Sequence, residues 1–248
     1  MPAFKSPMIA IECMSAEELC CDETWWRIYK DSFPASEREP PEVILKSLLR
    51  GVGMAFRACR QGVTSGLATT HLLKDPAAVF LVYLAVARGE RSQGIGGELL
   101  RSAWEAGAER FRAQVLQPIG LTWEVEPPQC ACGEGGAPER RIAFFQRHGG
   151  QLLQRPYLQP PVDGIAAVPM KLMFRPAKGE GTPTPEVVEG LVRGIYFDKY
   201  EAINGIDRGI LGKLLTASRS SEGVGDFVCG SQPELKDGSD QEGKRGSK

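Results

Sequence analysis

Apolar residues recur every three or four positions in several stretches of the chain, and this spacing predicts amphipathic helices. The predicted helices begin near Ser15, Pro41, Ile95 and Glu139, and two more cover Glu186–Tyr200 and Ile206–Thr216. Ser15 and Glu18 have the spacing of a capping box at the start of the first helix. Gly51 follows the second helix, and Gly149-Gly150 ends the fourth.

Other stretches are continuously apolar or alternate between apolar and polar residues, which predicts strands. These predicted strands cover Met54–Cys59, Thr64–Leu73, Val79–Val86, Ile119–Val125, Gln151–Arg155 and Ala167–Phe174. The first two flank Gln61-Gly62 and predict a hairpin. Val79–Val86 is almost wholly apolar, so we expect both of its faces to be buried. The order α-α-β-β-β-α-β-α-β-β predicts an α/β fold with helices on both faces of a mixed sheet.

The composition changes near the end of this predicted core. Residues 1–175 carry the core, and residues 176–216 form a linker followed by the two C-terminal amphipathic helices. Residues 217–248 are rich in Ser, Gly, Asp, Glu and Lys, and we expect them to be disordered. The apolar residues of the C-terminal helices are expected to pack on the core or on a second copy in a homodimer. They are Leu191, Ile195, Ile203, Ile206, Ile210 and Leu214.

Charge and composition exclude several classes of protein. Lys and Arg number 30 and Asp and Glu 31, and this balance argues against a dedicated nucleic-acid binder. The longest uncharged apolar run, Ala77–Ala87, is shorter than the roughly 20 residues that cross a bilayer. Since the N-terminus lacks the apolar stretch of a secretory signal, we predict a cytoplasmic protein without membrane contact. Cys130 and Cys132 have no second pair, so no metal site is expected.

A glycine-rich turn between a strand and a helix is the segment that indicates chemistry. It reads Arg91, Ser92, Gln93, Gly94, Ile95, Gly96 and Gly97. Glycines at a helix start let a ligand approach the backbone, and the free N–H groups there bind anions such as a diphosphate. A Walker P-loop requires Lys followed by Ser or Thr, where Glu98 and Leu99 stand, and a Rossmann fingerprint requires glycine at position 99. Neither pattern is met.

The pattern that remains is (Arg/Gln)-x-x-Gly-x-(Gly/Ala), and with it the chain resembles the GNAT superfamily of N-acetyltransferases, in particular bacterial-type members. VFLVYLAVARGERSQGIGGELL resembles the fourth strand, pyrophosphate loop and third helix of that family. RIAFFQRHGG resembles a later helix, although Arg141 and Gly150 depart from its pattern. The resemblance covers about residues 8 to 175. It implies a twisted, mixed and mostly antiparallel sheet with a V-shaped opening between the fourth and fifth strands.

The resemblance also implies that acetyl-CoA is the cosubstrate, bound in that opening without a metal. Backbone N–H groups from Gln93 to Gly97 would hold its pyrophosphate, and Arg91 would either contact phosphate or lie solvated beside the loop. The end of the fourth strand would pair with the pantetheine arm. The predicted cosubstrate-binding residues are Leu84, Ala85, Val86, Arg91, Ser92, Gln93, Gly94, Ile95, Gly96, Gly97 and Phe145.

Enzymes of this family usually transfer the acetyl group directly to an amine, which must first lose a proton. A lysine-like amine has a pKa of about 10.4, so a carboxylate base is expected. Glu124 and Glu126 alternate on one strand, so their side chains share a face. Glu124 is the first candidate for the base. The alternative is that both are solvated charges on the strand surface. Phe145 stands where many members have a tyrosine that protonates the leaving thiolate. Water, Tyr157 or Tyr83 would donate that proton instead.

These observations leave three functions open. The first is an N-acetyltransferase acting on a small-molecule amine or a protein amino group. The second is a CoA-binding module with weak or absent catalysis, which Phe145 supports. The third is an interaction protein whose C-terminal helices meet a partner. The loop residues Glu37, Arg38 and Glu39 either select an acceptor or form a solvated turn.

Overall fold

The computed structural model describes residues 9–128, 136–178 and 181–219, so Cys130 and Cys132 lie outside the described residues. The helices are α1 (Ala16–Cys21), α2 (Glu23–Ser32), α3 (Pro41–Leu49), α4 (Ile95–Ala113), α5 (Ala137–Arg147), α6 (Pro185–Gly194) and α7 (Arg208–Ala217). The strands are β1 (Ile9–Met14), β2 (Gly53–Arg60), β3 (Val63–Lys74), β4 (Ala77–Val86), β5 (Gly120–Val125), β6 (Gln151–Leu152), β7 (Tyr157–Gln159) and β8 (Val168–Pro176). A π-helical segment, Ile195–Glu201, continues directly from α6.

The strands form one sheet in the order β1-β2-β3-β4-β5-β8-β6, and β7 pairs with β8 beside this path. Among the described strands, only β4 and β5 pair in parallel, and the other pairs are antiparallel. The mixed, mostly antiparallel sheet predicted from the sequence is therefore confirmed. The division of the chain into residues 1–175, 176–216 and 217–248 stays a prediction.

Three element predictions were wrong. β1 was missed, although it pairs with β2 along its whole length. The single helix expected after Ser15 is two helices, because the Asp22 side chain accepts a hydrogen bond from the Trp25 N–H and caps α2. The strand expected over Gln151–Arg155 ends at Leu152, and β7 begins only after Pro156. Proline has no N–H to give to a strand ladder, so pairing is interrupted there.

Both faces of the sheet are covered by helices. On β3, the side chains of Ala68 and Leu72 pack in the core beneath α4 and α5. Leu67 points the opposite way, toward α1–α3, and Leu73 shares that second face with α6, the π-helical segment and α7. The alternation along one strand thus places α4 and α5 in one layer and all other helices in the second layer.

The two parallel strands separate part-way along their length. Their pairing begins at Val79 with Leu121 and ends at Leu81 with Trp123, yet β4 continues to Val86 and β5 to Val125. Beyond the last pair, a cavity lies between them and is lined by residues of both strands. This is the opening that the sequence resemblance implies.

A bulge in β4 coincides with the point of separation. Thr69 of β3 pairs with Tyr83 and Thr70 pairs with Leu81, so Val82 has no partner on β3. The extra residue reverses which side chains face each layer. Leu81 packs toward α4, whereas Tyr83, two positions later, packs toward α2 and α3.

Candidate active site

The cavity between β4 and β5 has a volume of about 60 Å³. Apolar and aromatic side chains form much of its wall, with Leu81 and Leu84 from β4 and Phe145 from α5. Its charged residues are three carboxylates and one guanidinium, Glu37, Glu124, Glu126 and Arg141. The candidate bases found in the sequence, Glu124 and Glu126, therefore both line the opening.

Glu124 is held by three neighbouring side chains. Its carboxylate accepts hydrogen bonds from the hydroxyl of Tyr157, from the hydroxyl of Tyr200 at 3.0 Å and from Nε2 of Gln159 at 3.2 Å. Burial raises the pKa of the Glu124 carboxyl to about 7, although the hydrogen bonds from Tyr157 and Tyr200 pull it down. A carboxyl group with this pKa exchanges a proton readily at neutral pH.

The strand ladder explains why these groups meet. Glu124 pairs with Leu172 on β8, and β8 also pairs with β7 through Met170 and Tyr157. Tyr157 and Gln159 alternate on β7, so their side chains share a face. Tyr200 comes from the π-helical segment, 76 positions after Glu124 in the chain.

A fully buried ion pair fixes the π-helical segment beside the opening. Nζ of Lys199 lies 2.5 Å from Oε1 of Glu39, and both side chains are 2% exposed. Asn204 completes the group, since its Nδ2 donates to Glu39 at 2.7 Å and its Oδ1 accepts from Lys199 at 3.1 Å. The ion pair thereby links the loop between α2 and α3, which carries Glu39, to Lys199, the neighbour of Tyr200.

Two tyrosines, Tyr83 and Tyr29, form hydrogen bonds with the backbone of the loop between α2 and α3. The Tyr83 hydroxyl donates to the Glu37 carbonyl at 2.8 Å and accepts from the Glu39 N–H at 2.9 Å. The Tyr29 hydroxyl donates to the Glu39 carbonyl at 3.0 Å. Tyr83, considered from the sequence as a proton donor, thus has its hydroxyl committed to the backbone of this loop.

Glu37 and Glu126 both line the cavity, but they differ in whether the carboxylate has an ion-pair partner. Glu126 is paired with Arg141, at 2.8 Å between Nη1 and Oε2. In the part of the chain that the structure describes, no side chain bonds to the Glu37 carboxylate. Burial, followed by the nearby charge of Glu126, raises the pKa of the Glu37 carboxyl to about 6.

The glycine-rich turn presents backbone groups to solvent at the start of α4. Gly94 has φ +82° and Ser92 has φ +63°, and no side chain caps the first turn of the helix. The first N–H groups of α4 consequently lack side-chain partners. Nε of Arg91 donates to the Val86 carbonyl at 3.2 Å, and the Gln93 side chain bonds with Arg60.

Helix α5 packs closely on this turn. A Cβ on Gly96 would lie 3.2 Å from the Phe144 ring, and one on Gly97 would lie 2.7 Å from the His148 ring. Phe145, expected near the cosubstrate, is buried and has its ring centroid 4.6 Å from that of Trp123. The absence of side chains at Gly96 and Gly97 therefore lets α5 pack closely against the start of α4.

Tyr200, Gln159 and Lys199 were not predicted from the sequence as site residues. Glu39 was named only as a residue of an acceptor-selecting or solvated loop, and its burial against Lys199 contradicts the solvated alternative for this residue. The only signal was the i, i+4 spacing of Tyr196 and Tyr200 on a predicted amphipathic helix, because a buried tyrosine hydroxyl requires a partner. Tyr196 finds its partner elsewhere, at the Leu158 carbonyl, 2.7 Å away.

Two further polar or aromatic side chains near this part of the sheet, His71 and Trp25, are buried within the fold. His71 is buried, its Nδ1 lies 3.2 Å from Oγ of Ser47, and burial together with Lys199 lowers its pKa to about 3. Trp25 is in the core, and its indole N–H donates to the Phe56 carbonyl. Over residues 9–128, 136–178 and 181–219, three or more potential metal ligands do not gather anywhere, and the helices are too short or too polar to cross a bilayer.

No protein-family model and no curated protein matches the sequence. Among solved structures, a Bacteroides thetaiotaomicron protein described as an acetyltransferase of the GNAT family superposes with a TM-score of 0.58 and 22% identity, covering 80% of this chain and 99% of that one. The ribosomal-protein-S18-alanine N-acetyltransferase of Escherichia coli has a TM-score of 0.47 and 19% identity, over 71% and 99% of the two chains. The first likeness identifies the fold.

Proposed function

We propose, from the premise that this chain has the GNAT fold, that it is an acetyl-CoA-dependent N-acetyltransferase acting on an amine. The observation that carries the proposal is Glu124, a carboxyl group with a pKa of about 7 held by two tyrosines where β4 and β5 separate. Direct transfer to an amine needs a base of this kind at this place.

The glycine-rich turn fits the anionic part of acetyl-CoA. Residues 91–94 are exposed, Ile95 is buried, and Gly96 and Gly97 are half-buried. Among the described residues no side chain caps the first turn of α4, so we expect the first N–H groups of the helix to bind a pyrophosphate. Arg91 lies exposed beside them and adds a positive charge. Leu84, Ala85 and Val86 follow the last β4–β5 pair and are not paired with β5, so we expect a pantetheine arm to pair with this part of the strand. The Val86 carbonyl accepts a hydrogen bond from Arg91.

In the proposed reaction, acetyl-CoA supplies an activated acyl group as a thioester. The amine nitrogen forms a bond to the carbonyl carbon, the carbon–sulfur bond breaks, and Glu124 takes the proton from nitrogen. Tyr157 and Tyr200 hold the carboxylate toward the cavity and stabilise its charged form through their hydrogen bonds. Because Phe145 carries no proton to give, the thiolate leaves unprotonated or takes a proton from water, at a cost of about 2 kcal/mol for a thiol pKa near 8.5.

Acetyl transfer to a pool of amines, followed by mass spectrometry, tests this function. Glu124→Gln removes the base while keeping the shape, and we expect kcat to fall by roughly 10²–10⁴. Glu126→Gln is the matched control on the same strand face, and its effect should be much smaller because Glu126 is already paired with Arg141. Gly96→Glu places a side chain and a negative charge on the turn, and it should abolish protection of the protein by acetyl-CoA against heating.

The competing function is a CoA-binding module without turnover, which Phe145 favours. It predicts that acetyl-CoA raises the melting temperature while every acceptor remains unmodified. Turnover that is unaffected by Glu124→Gln would keep the enzyme and reject the base. If acetyl-CoA neither reacts nor stabilises the protein, the proposed function is wrong.

A further inference from the structure

Each carboxylate around the opening except one has a partner within the described residues. Glu39 is paired with Lys199, Glu126 with Arg141, and Glu124 accepts three hydrogen bonds. Glu37 lines the same cavity and is half-buried, but no side chain there bonds to its carboxylate. A carboxylate withdrawn from water without a partner costs free energy, which a cation brought by a ligand would recover.

A second unsatisfied group lies in the same cavity wall. Gln159 lines the cavity and is only 5% exposed. Its Nε2 donates to Glu124 and to the Tyr200 hydroxyl, whereas its Oε1 is buried and has no hydrogen-bond partner in the part of the chain that the structure describes. A buried acceptor of this kind accepts a hydrogen bond from an N–H or O–H group of a ligand when one is bound. Gln159 thus offers an acceptor and Glu37 a negative charge, and an amine ligand supplies N–H groups to the first and a positive charge to the second.

The charge of the reacting nitrogen cannot satisfy Glu37. That nitrogen must be neutral when it attacks, and its proton goes to Glu124 in the proposed reaction. Glu37 would then still face the cavity unpaired. The cation of the cavity wall, Arg141, lowers the pKa of the Glu37 carboxyl but forms its ion pair with Glu126. A second cation on the ligand that keeps its proton throughout the reaction would pair with Glu37 directly.

Resting on the proposed function, we infer that the acceptor is a small diamine: one amine reacts beside Glu124 and Gln159, and the second, as an ammonium, pairs with Glu37. The cavity is small, with a volume of about 60 Å³. Phe33 and Tyr83 line it in edge-to-face contact with ring centroids 4.8 Å apart. This wall suits the methylene chain of a linear diamine lying between its two nitrogens.

The test compares linear diamines of increasing length with the alkylamine of equal length, in which a methyl group replaces the second amine. We expect the best diamine to have a kcat/KM roughly tenfold or more above that of its alkylamine, through a lower KM, because charge-assisted hydrogen bonds are strong. Glu37→Gln should lower the diamine value toward the alkylamine value. Glu42→Gln, the same change on an exposed residue at the start of α3, should preserve the preference.

Calorimetric titration of the same diamines and alkylamines gives a second readout that does not need turnover. Tighter binding of the diamine that is lost in Glu37→Gln supports the inference. If alkylamines and diamines react and bind equally, or if the preference survives Glu37→Gln, the inference is overturned while the acetyltransferase stands. If no amine is acetylated, the proposed function fails, and the calorimetry alone decides whether Glu37 selects a second charge.

Discussion

The pKa of Glu124 results from two opposing effects on one side chain. Burial beneath the π-helical segment favours the neutral carboxylic acid and raises the pKa, whereas hydroxyl hydrogen bonds favour the carboxylate and lower it. The result, about 7, puts the group at the pH where a base is both deprotonated and strong enough to act. Through its hydrogen bond to Glu124, each tyrosine therefore lowers the pKa of the group proposed as the base.

Tyr200→Phe should move the pH dependence of kcat/KM. Removing the hydroxyl removes a hydrogen bond that lowers the Glu124 pKa, so the pKa rises. The base must be deprotonated, and the wild-type rate should fall as pH drops through about 7. In the variant this fall should begin at a higher pH. The measurement is kcat/KM between about pH 5 and pH 9.

Tyr196→Phe is the matched control for that experiment. Tyr196 is buried on the same π-helical segment, but its hydroxyl donates to the Leu158 carbonyl and not to Glu124. It should lower stability and leave the position of the pH profile unchanged. Equal profiles for the wild type and Tyr200→Phe would show that Tyr200 does not set the charge of Glu124.

At the residue scale, sequence could predict only what local spacing encodes. Glu124 and Glu126 were found because alternation on a strand puts both on one face. The two residues differ in their partners: Glu124 is bonded by tyrosines, and Glu126 is paired with Arg141. These partners come from other segments of the chain, so the spacing on the strand does not reveal them. Tyr200 lies 76 positions from Glu124, and no periodicity in either segment links them.

At the element scale, the opening between β4 and β5 depends on where pairing stops. The apolar stretch Val79–Val86 predicted a buried strand, and it lies within β4, which begins two residues earlier at Ala77. The bulge at Val82 leaves no mark in such a run, since any of its residues could be the extra one. The opening was therefore predictable by family resemblance, through the glycine-rich turn that follows β4, and not from hydrophobic pattern.

The buried Lys199–Glu39 pair makes the π-helical segment dependent on the loop between α2 and α3. Lys199→Met leaves the Glu39 carboxylate buried with only Asn204 as a side-chain partner, and should destabilise the protein by about 3–5 kcal/mol. Glu39→Gln combined with Lys199→Met leaves no charge unpaired and should cost less than Lys199→Met alone. Chemical denaturation of the single and double variants measures the free energies of unfolding.

Arg101 on α4, which pairs with Glu98 and Glu105, is the control for that cycle. All three side chains are about half exposed, so breaking both pairs with Arg101→Met should change stability by under about 1 kcal/mol. If Lys199→Met were as mild as Arg101→Met, the buried pair would not hold the segment. Losses that simply add in the double variant would likewise show that the two residues do not act together.

At the scale of the whole molecule, the segment from α6 to α7 contributes to the core and also to the candidate site. Its buried apolar side chains pack with Phe80 of β4 and Leu172 of β8 in one cluster. From α6 to α7 they include Val188, Leu191, Val192, Ile195, Tyr196, Tyr200, Leu211 and Leu214. Sequence patterns indicated amphipathic helices here and left open whether the core or a second copy covers them.

Truncation at two points separates these roles. A chain ending at residue 178 loses α6, the π-helical segment and α7, and each buried apolar side chain contributes about 1.5–3 kcal/mol. Several such losses exceed the roughly 5–15 kcal/mol that holds a domain folded, so this chain should be unfolded or insoluble. A chain ending at Arg219 keeps the described core and the ion pair of Arg219 with Glu189, so its melting temperature and kcat/KM should equal those of the full chain. If a chain ending at residue 178 were soluble and fully active, the packing of α6, the π-helical segment and α7 would not be needed for folding. Tyr200 would then not be needed for activity, and the role assigned to it beside Glu124 would be wrong.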